Sequence, residues 1–99
     1  MFYVYGLSNC VYSIKAVQLL ELYNLNHKVE WVKPEDKNRY KKQHKMTTFP
    51  QIFFKPKGRK LLFKIGGFDN LETAVNIIRL AKSNNIPLCT VEYLYNRIE

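Results

Sequence analysis

Through Phe2-Tyr3-Val4-Tyr5 successive side chains alternate with the two-residue period of a strand. The period then changes: over residues 11–23, Ala16, Leu19, Leu20 and Tyr23 fall on one face of a helix. Residues 28–32, Lys-Val-Glu-Trp-Val, alternate again and form a second strand, reached across Asn24-Leu25-Asn26. A helix of about ten residues between two strands predicts a parallel crossover. Pro34 followed by Glu35 and Asp36 marks a helix start, with proline in the first turn and acids at the positive end of the dipole. That helix is expected to run to about residue 45. Gln51-Ile52-Phe53-Phe54 is a strand, residues 55–60 contain Pro56 and Gly58 and read as a turn, and residues 61–65 return as a strand, giving a β-hairpin. Gly66-Gly67 breaks the chain before a helix from about 70 to 83, with Leu71, Ala74, Ile77, Ile78 and Ala81 inward. Leu88, Val91, Leu94 and Ile98 have the spacing of a short final helix. The expected order is β-α-β-α-β-β-α plus a tail: one α/β domain over residues 1–99, its core about 2–82 and an extension about 83–99.

Composition narrows this further. A chain of 99 residues with 46% hydrophobic content can bury one core and is too short for two. No apolar run approaches the ~20 residues that span a bilayer. The N-terminus lacks the basic start and apolar core of a signal peptide, so a cytoplasmic location is expected. With two cysteines, Cys10 and Cys89, reduced thiols are the simpler expectation. The formal charge is +8, and the basic excess is concentrated in residues 33–45 and 55–64. Such a balance suits anionic ligands or surfaces, and equally the solvated faces of a soluble protein; no RNA- or DNA-reading motif accompanies it.

The candidate chemistry lies at Cys10, which stands between the first strand and the first helix in Tyr5-Gly6-Leu7-Ser8-Asn9-Cys10-Val11-Tyr12-Ser13. A thiol at a helix N-terminus meets unpaired backbone N–H groups and the positive dipole end, both of which favour thiolate. Three residues on, where a redox dithiol would carry its second cysteine, stands Ser13. The pattern points to one-thiol chemistry, against the alternative of an inert packed cysteine. Cys89 reads as a packed thiol in the tail.

The element order and three separated motifs together resemble the glutaredoxin family of the thioredoxin-like fold. The motifs are Cys10-Val11-Tyr12-Ser13, Thr48-Phe49-Pro50-Gln51-Ile52-Phe53, similar to T-V-P-Q-I-F, and Gly66-Gly67-Phe68-Asp69-Asn70-Leu71, similar to G-G-x-D-D-L. The resemblance covers residues 2 to about 82 and implies a four-stranded mixed sheet flanked by helices. C-V-Y-S is nearer the dithiol-type class with one cysteine replaced than the C-G-F-S class, whose usual insertion before the cysteine and W-P near the proline are missing here.

Carried onto this chain, the resemblance implies that Cys10 is the nucleophile, Tyr12 one wall of the site, and Ser13 a hydrogen-bond donor to the thiolate. Pro50 is expected to be cis, turning the Phe49 backbone toward a cysteinyl peptide such as glutathione, with Thr48 on the same edge. Gly66 and Gly67 allow close approach of backbone to ligand. The N–H groups of Phe68 and Asp69 would take the γ-glutamyl carboxylate, and the Asp69 carboxylate its ammonium; Asp69 also reads as a plain N-cap. A gapless count from the T-F-P segment puts Lys37 where the family holds the glycine carboxylate, although Lys37 also reads as a solvated lysine; Arg39, Tyr40 and Lys42 are substitutes. Leu7, Val11, Ser13 and Asn70 depart from the common lysine, proline, cysteine and aspartate, and the first departure implies weaker ligand binding or a less depressed thiol pKa.

The function implied is a glutathione-dependent thiol–disulfide oxidoreductase that reduces protein–glutathione mixed disulfides by a monothiol route, with glutathione as co-substrate. Its partners would be glutathionylated or disulfide-containing proteins, and a monomer is expected. Two alternatives remain at this stage. One is a homodimer holding a [2Fe-2S] cluster through Cys10 and a glutathione thiolate from each side, which supplies the four thiolates such clusters need. The other is a redox-inactive interaction module.

Overall fold

The computed structural model describes residues 1–58 and 60–85; the expected tail helix and Cys89 lie outside the described residues. Strand β1 (Phe2–Leu7) is followed by α1 (Val11–Leu22), β2 (His27–Val32), a 3₁₀ turn (Pro34–Asp36), α2 (Lys37–His44), β3 (Gln51–Phe54), β4 (Phe63–Gly66) and α3 (Phe68–Ser83). The strands form one sheet in the order β2-β1-β3-β4. β1 and β2 are parallel, as the intervening helix requires, and β1–β3 and β3–β4 are antiparallel. The result is a mixed four-stranded sheet.

Alternation along β1 decides what each face holds. Phe2 and Val4 point with Ile52 and Ile65 toward Ala16 and Leu20 of α1 and toward Leu71 and Val75 of α3, which together make the core. Leu20, Ile52 and Leu71 are completely buried, each worth about 1.5–3 kcal/mol of transfer free energy. Tyr5 points the other way and meets Tyr40 and His44 of α2, which also packs on Phe53. α1 and α3 therefore cover one face and α2 the other. Among the described residues no helix is long and apolar enough to cross a membrane.

Several boundaries differ from the pattern in the sequence. β1 continues to Leu7, because Gly6 and Leu7 still pair with Trp31 and Val32 of β2. The segment at Pro34 begins as a 3₁₀ turn closed by Asp36 N–H to Lys33 C=O (2.9 Å), and the α-helix starts only at Lys37. α2 ends with Lys45 in the left-handed region (φ 54°), where the Met46 N–H reaches the Lys41 carbonyl at 3.0 Å. β4 starts at Phe63, opposite Phe54, and leaves Leu61 and Leu62 exposed in the hairpin loop. On α3 the fully buried positions include Val75, whereas Ile77 and Ile78 are half-buried.

The start of α3 corrects the expectation for Asp69. Gly66 takes φ +123°, a conformation open to glycine, and delivers Gly67 in extended geometry as the N-cap, so α3 begins at Phe68. Asp69 is the second helical residue, not the cap, and it is Asn70 that reaches back: its Oδ1 accepts the Gly67 N–H at 3.2 Å.

Candidate active site

The turn between β1 and α1 presents the thiol. Asn9 lies in the left-handed region (φ 67°), which asparagine tolerates better than most residues, and the Cys10 N–H closes the turn on the Leu7 carbonyl at 3.1 Å. Cys10 is then the extended N-cap residue of α1, and its own carbonyl accepts the Ile14 N–H at 3.2 Å. Its Sγ is partly buried, 3.8 Å from the Phe49 carbonyl oxygen.

Ser13 holds the thiol from below. It is completely buried, and its hydroxyl oxygen accepts the Leu7 N–H at 3.1 Å. With its lone pair so engaged, its O–H can donate to Cys10. Burial alone pushes the Cys10 thiol up, but hydrogen bonds from the Ser13 hydroxyl and from the Ser13 and Tyr12 N–H groups outweigh it. The net effect is a pKa below that of an ordinary cysteine.

Two loops border the sulfur. The Phe49–Pro50 peptide bond is cis, and Pro50 is buried. A Cβ on Gly67 would meet the Pro50 carbonyl at 4.0 Å, so the loop before β3 and the entry to α3 lie against each other. Phe68 then closes the ring of residues, its side chain 5.9 Å from that of Tyr12, which is exposed on α1. Lys15 places its ammonium 5.4 Å from the Tyr12 ring centroid. Cys10, Tyr12, Ser13, Phe49, Pro50, Gly67 and Phe68 are thus linked by direct neighbours. The Phe68 and Asp69 N–H groups, first in α3, have no intrahelical acceptor.

Three expected residues sit at the edge of this group. Asp69 is exposed beside Phe68, and its carbonyl accepts the Thr73 hydroxyl at 3.2 Å. Thr48 is exposed next to Phe49. Lys37 is exposed at the start of α2. Among the described residues there is no group of three or more His, Cys, Asp or Glu able to hold a metal ion. An iron–sulfur cluster needs four thiolates, so the single described cysteine could not hold one by itself.

Sequence reasoning missed two neighbours of the site. Trp31 lies over Gly6, where a Cβ would stand 2.8 Å from the indole and 3.2 Å from the Ser13 Cβ. The parallel register of β1 and β2 sets Trp31 beside Gly6, and no local pattern announces it. The other is the Leu7 N–H, whose bond to Ser13 carries no signature in residue types.

A strand-to-helix turn that offers one activated thiol, faced by a cis-proline loop and a glycine-led helix start, defines a thioredoxin-like thiol site. The glutaredoxin family model matches residues 2–58, more than half of the sequence, and the chain belongs to the glutaredoxin family of thiol–disulfide oxidoreductases. Among solved structures, glutaredoxin 1 from Francisella tularensis, complexed with cacodylate, is similar in fold. Its TM-score is 0.63 at 19% identity, over 78% of this chain and 93% of that one. No curated protein matches the sequence.

Proposed function

We propose that the protein reduces protein–glutathione mixed disulfides by a monothiol route with Cys10 as nucleophile. The Cys10 thiolate attacks the glutathione sulfur of the mixed disulfide, the protein thiolate leaves and takes up a proton, and Cys10 becomes glutathionylated. The thiolate of a second glutathione attacks the glutathione sulfur bound to Cys10. Oxidised glutathione leaves, and the Cys10 thiolate is restored. In balance, one mixed disulfide and one glutathione give one protein thiol and one glutathione disulfide.

The observation that carries this reading is a partly buried thiol at the start of α1, 3.8 Å from the Phe49 carbonyl, whose resolving position is filled by a completely buried serine. A serine oxygen cannot displace a sulfur from the mixed disulfide, so Ser13 cannot resolve it, and in this reading the second thiol is that of glutathione. In this reading Phe49 pairs with the cysteinyl backbone of glutathione, with Thr48 and cis Pro50 shaping that edge. Gly67 leaves room for the ligand, the Phe68 and Asp69 N–H groups and the Asp69 carboxylate receive the γ-glutamyl end, and Lys37 receives the glycine carboxylate. The working form is a monomer in the cytoplasm, where glutathione keeps thiols reduced.

The test is glutathione-dependent reduction of a small glutathione mixed disulfide, coupled to regeneration of glutathione. The wild type should turn over and Cys10→Ser should not. A wild type without turnover, or an active Cys10→Ser, would overturn the reading.

A further inference from the structure

From Lys37 to Phe68 the chain contains no aspartate or glutamate, while lysines and two arginines recur along it. The fold gathers part of this charge in one place. Lys41 and Lys42 occupy the last turn of α2, Lys45 follows as its C-cap, and Lys64 of β4 extends its ammonium to the Lys45 carbonyl at 3.2 Å. Four cations from two separate stretches of sequence thus meet at the C-terminal end of α2.

The acids that border α2 do not neutralise them. Glu30 accepts the Tyr40 hydroxyl at 2.6 Å, and Asp36 pairs with Arg39 at 3.8 Å, both nearer the other end of the helix. Arg39–Asp36 is the one ion pair among the described residues. Lys42, Lys45 and Lys64 are exposed.

The position of this cluster relative to the thiol gives it a use. Lys45 leads directly into the loop whose Phe49 carbonyl is 3.8 Å from Cys10 Sγ. Lys64 stands two residues before Gly66, and the next residue, Gly67, lies against Pro50. Both branches of the basic surface therefore end on the loops that flank the sulfur.

We propose that Lys41, Lys42, Lys45 and Lys64 form a docking surface for acidic protein substrates, those whose mixed disulfide is flanked by Asp and Glu. The proposal rests on the glutathione-dependent reading above and adds the substrate class to it. A redox site bordering the surface favours an anionic polypeptide over nucleic acid, since the partner must carry a disulfide. Complementary charge of this kind acts mainly on association, and it fades as salt shortens the Debye length from about 10 Å at 0.1 M to about 3 Å at 1 M.

Two glutathionylated peptides of equal length, one with Asp and Glu beside the cysteine and one with Ser and Gln, serve as probes. Their kcat/KM values are measured against salt for the wild type, Lys42→Glu/Lys64→Glu and Lys57→Glu/Lys60→Glu. The last makes the same charge change in the hairpin loop, at the opposite end of β3 and β4. Binding of both peptides to Cys10→Ser, with and without the same charge changes, is read by fluorescence anisotropy. The wild type should prefer the acidic peptide by about tenfold or more at low salt. That preference should vanish at high salt and in Lys42→Glu/Lys64→Glu, and persist in Lys57→Glu/Lys60→Glu.

Turnover of a small mixed disulfide with no preference between the peptides overturns the surface and leaves the enzymatic reading intact. A binding preference with no turnover of any disulfide supports the surface and fails that reading. Equal loss of preference in both double variants, or displacement of the acidic peptide by a short single-stranded DNA at lower concentration, also overturns the proposal.

Discussion

The Leu7 N–H donates to the Ser13 hydroxyl at 3.1 Å, tying the last residue of β1 to the first buried residue of α1. The bond occupies the acceptor side of the hydroxyl and leaves its proton for the Cys10 sulfur. Ser13→Ala removes both interactions at once. A partly buried N–H left without a partner costs about 1–3 kcal/mol, so the variant should be less stable in urea by an amount in that range. The monothiol cycle needs no second nucleophile, so turnover should survive, with its pH profile displaced upward. Loss of activity as complete as in Cys10→Ser would show that Ser13 does more than hold the thiolate.

The wild-type thiol should alkylate with a pH midpoint below that of an ordinary cysteine, because hydrogen bonds from Ser13 and Tyr12 outweigh burial. The rate should rise with pH through the folded-state pKa and level off above it. Linkage fixes the sign of the stability effect. A depressed pKa contributes stability that is fully present above the unfolded value and is lost as pH falls through the folded value. The stability difference between wild type and Cys10→Ser should therefore move in favour of wild type as pH rises across that window, as read by urea melts at several pH values. Titration of the other groups in the chain is common to both proteins and cancels in the comparison.

How much could be read beforehand follows from the range of each interaction. The parallel crossover, the hairpin and the place of Cys10 depend on local period and turn residues, and these were legible. The start of α3 was not, because whether Gly67 or Asp69 caps the helix depends on the φ that Gly66 adopts and on where the Asn70 side chain turns. Lys37 stands exposed at the start of α2, and its reach toward a carboxylate is set by the bound ligand, which no local pattern encodes. Trp31 was assigned to a strand without its contact, since pairing with Gly6 is set by a register that no local pattern encodes.

That register makes Gly6→Ala a spectroscopic test. The new methyl would stand 2.8 Å from one indole carbon and 3.0 Å from another, so something must shift. Trp31 is 48% exposed and can swing outward, whereas Ser13, with its Cβ 3.2 Å away, is buried and can give only slightly. The emission of this single tryptophan should move to the red and become more open to acrylamide. The stability loss should be at or below the ~1–3 kcal/mol of overpacking in a closed core. An unchanged spectrum would mean that the indole does not lie over Gly6.

Gly66 and Asn70 should be energetically coupled. A Cβ on Gly66 would meet Asn70 Oδ1 at 2.6 Å, the atom that accepts the Gly67 N–H, and φ +123° is strained for any L side chain. Asn70→Ala removes the cap and should cost about 0.5–2 kcal/mol. Gly66→Ala should cost more, since strain and the lost cap add. In the Asn70→Ala background the clash with the amide disappears and the φ strain remains, so Gly66→Ala should cost less there but still destabilise. Strictly additive losses in a double-mutant cycle would show that the two residues do not touch.

Asp69 separates ligand contact from capping. Because Gly67 is the N-cap and Asn70 holds its N–H, Asp69→Ala should leave the fold largely intact and act on glutathione instead. Its carboxylate is assigned the γ-glutamyl ammonium, an exposed charge pair, so the expected rise in the glutathione concentration at half-maximal rate is at most about tenfold, or ~1.4 kcal/mol. The maximal rate should hardly change, since the reacting sulfurs are untouched. Lys37→Ala should have the same signature if its side chain reaches the glycine carboxylate in the complex. An unchanged glutathione dependence in Lys37→Ala beside a raised one in Asp69→Ala would keep the γ-glutamyl site and move the glycine carboxylate to another cation, with Arg39 and Lys42 the next to substitute.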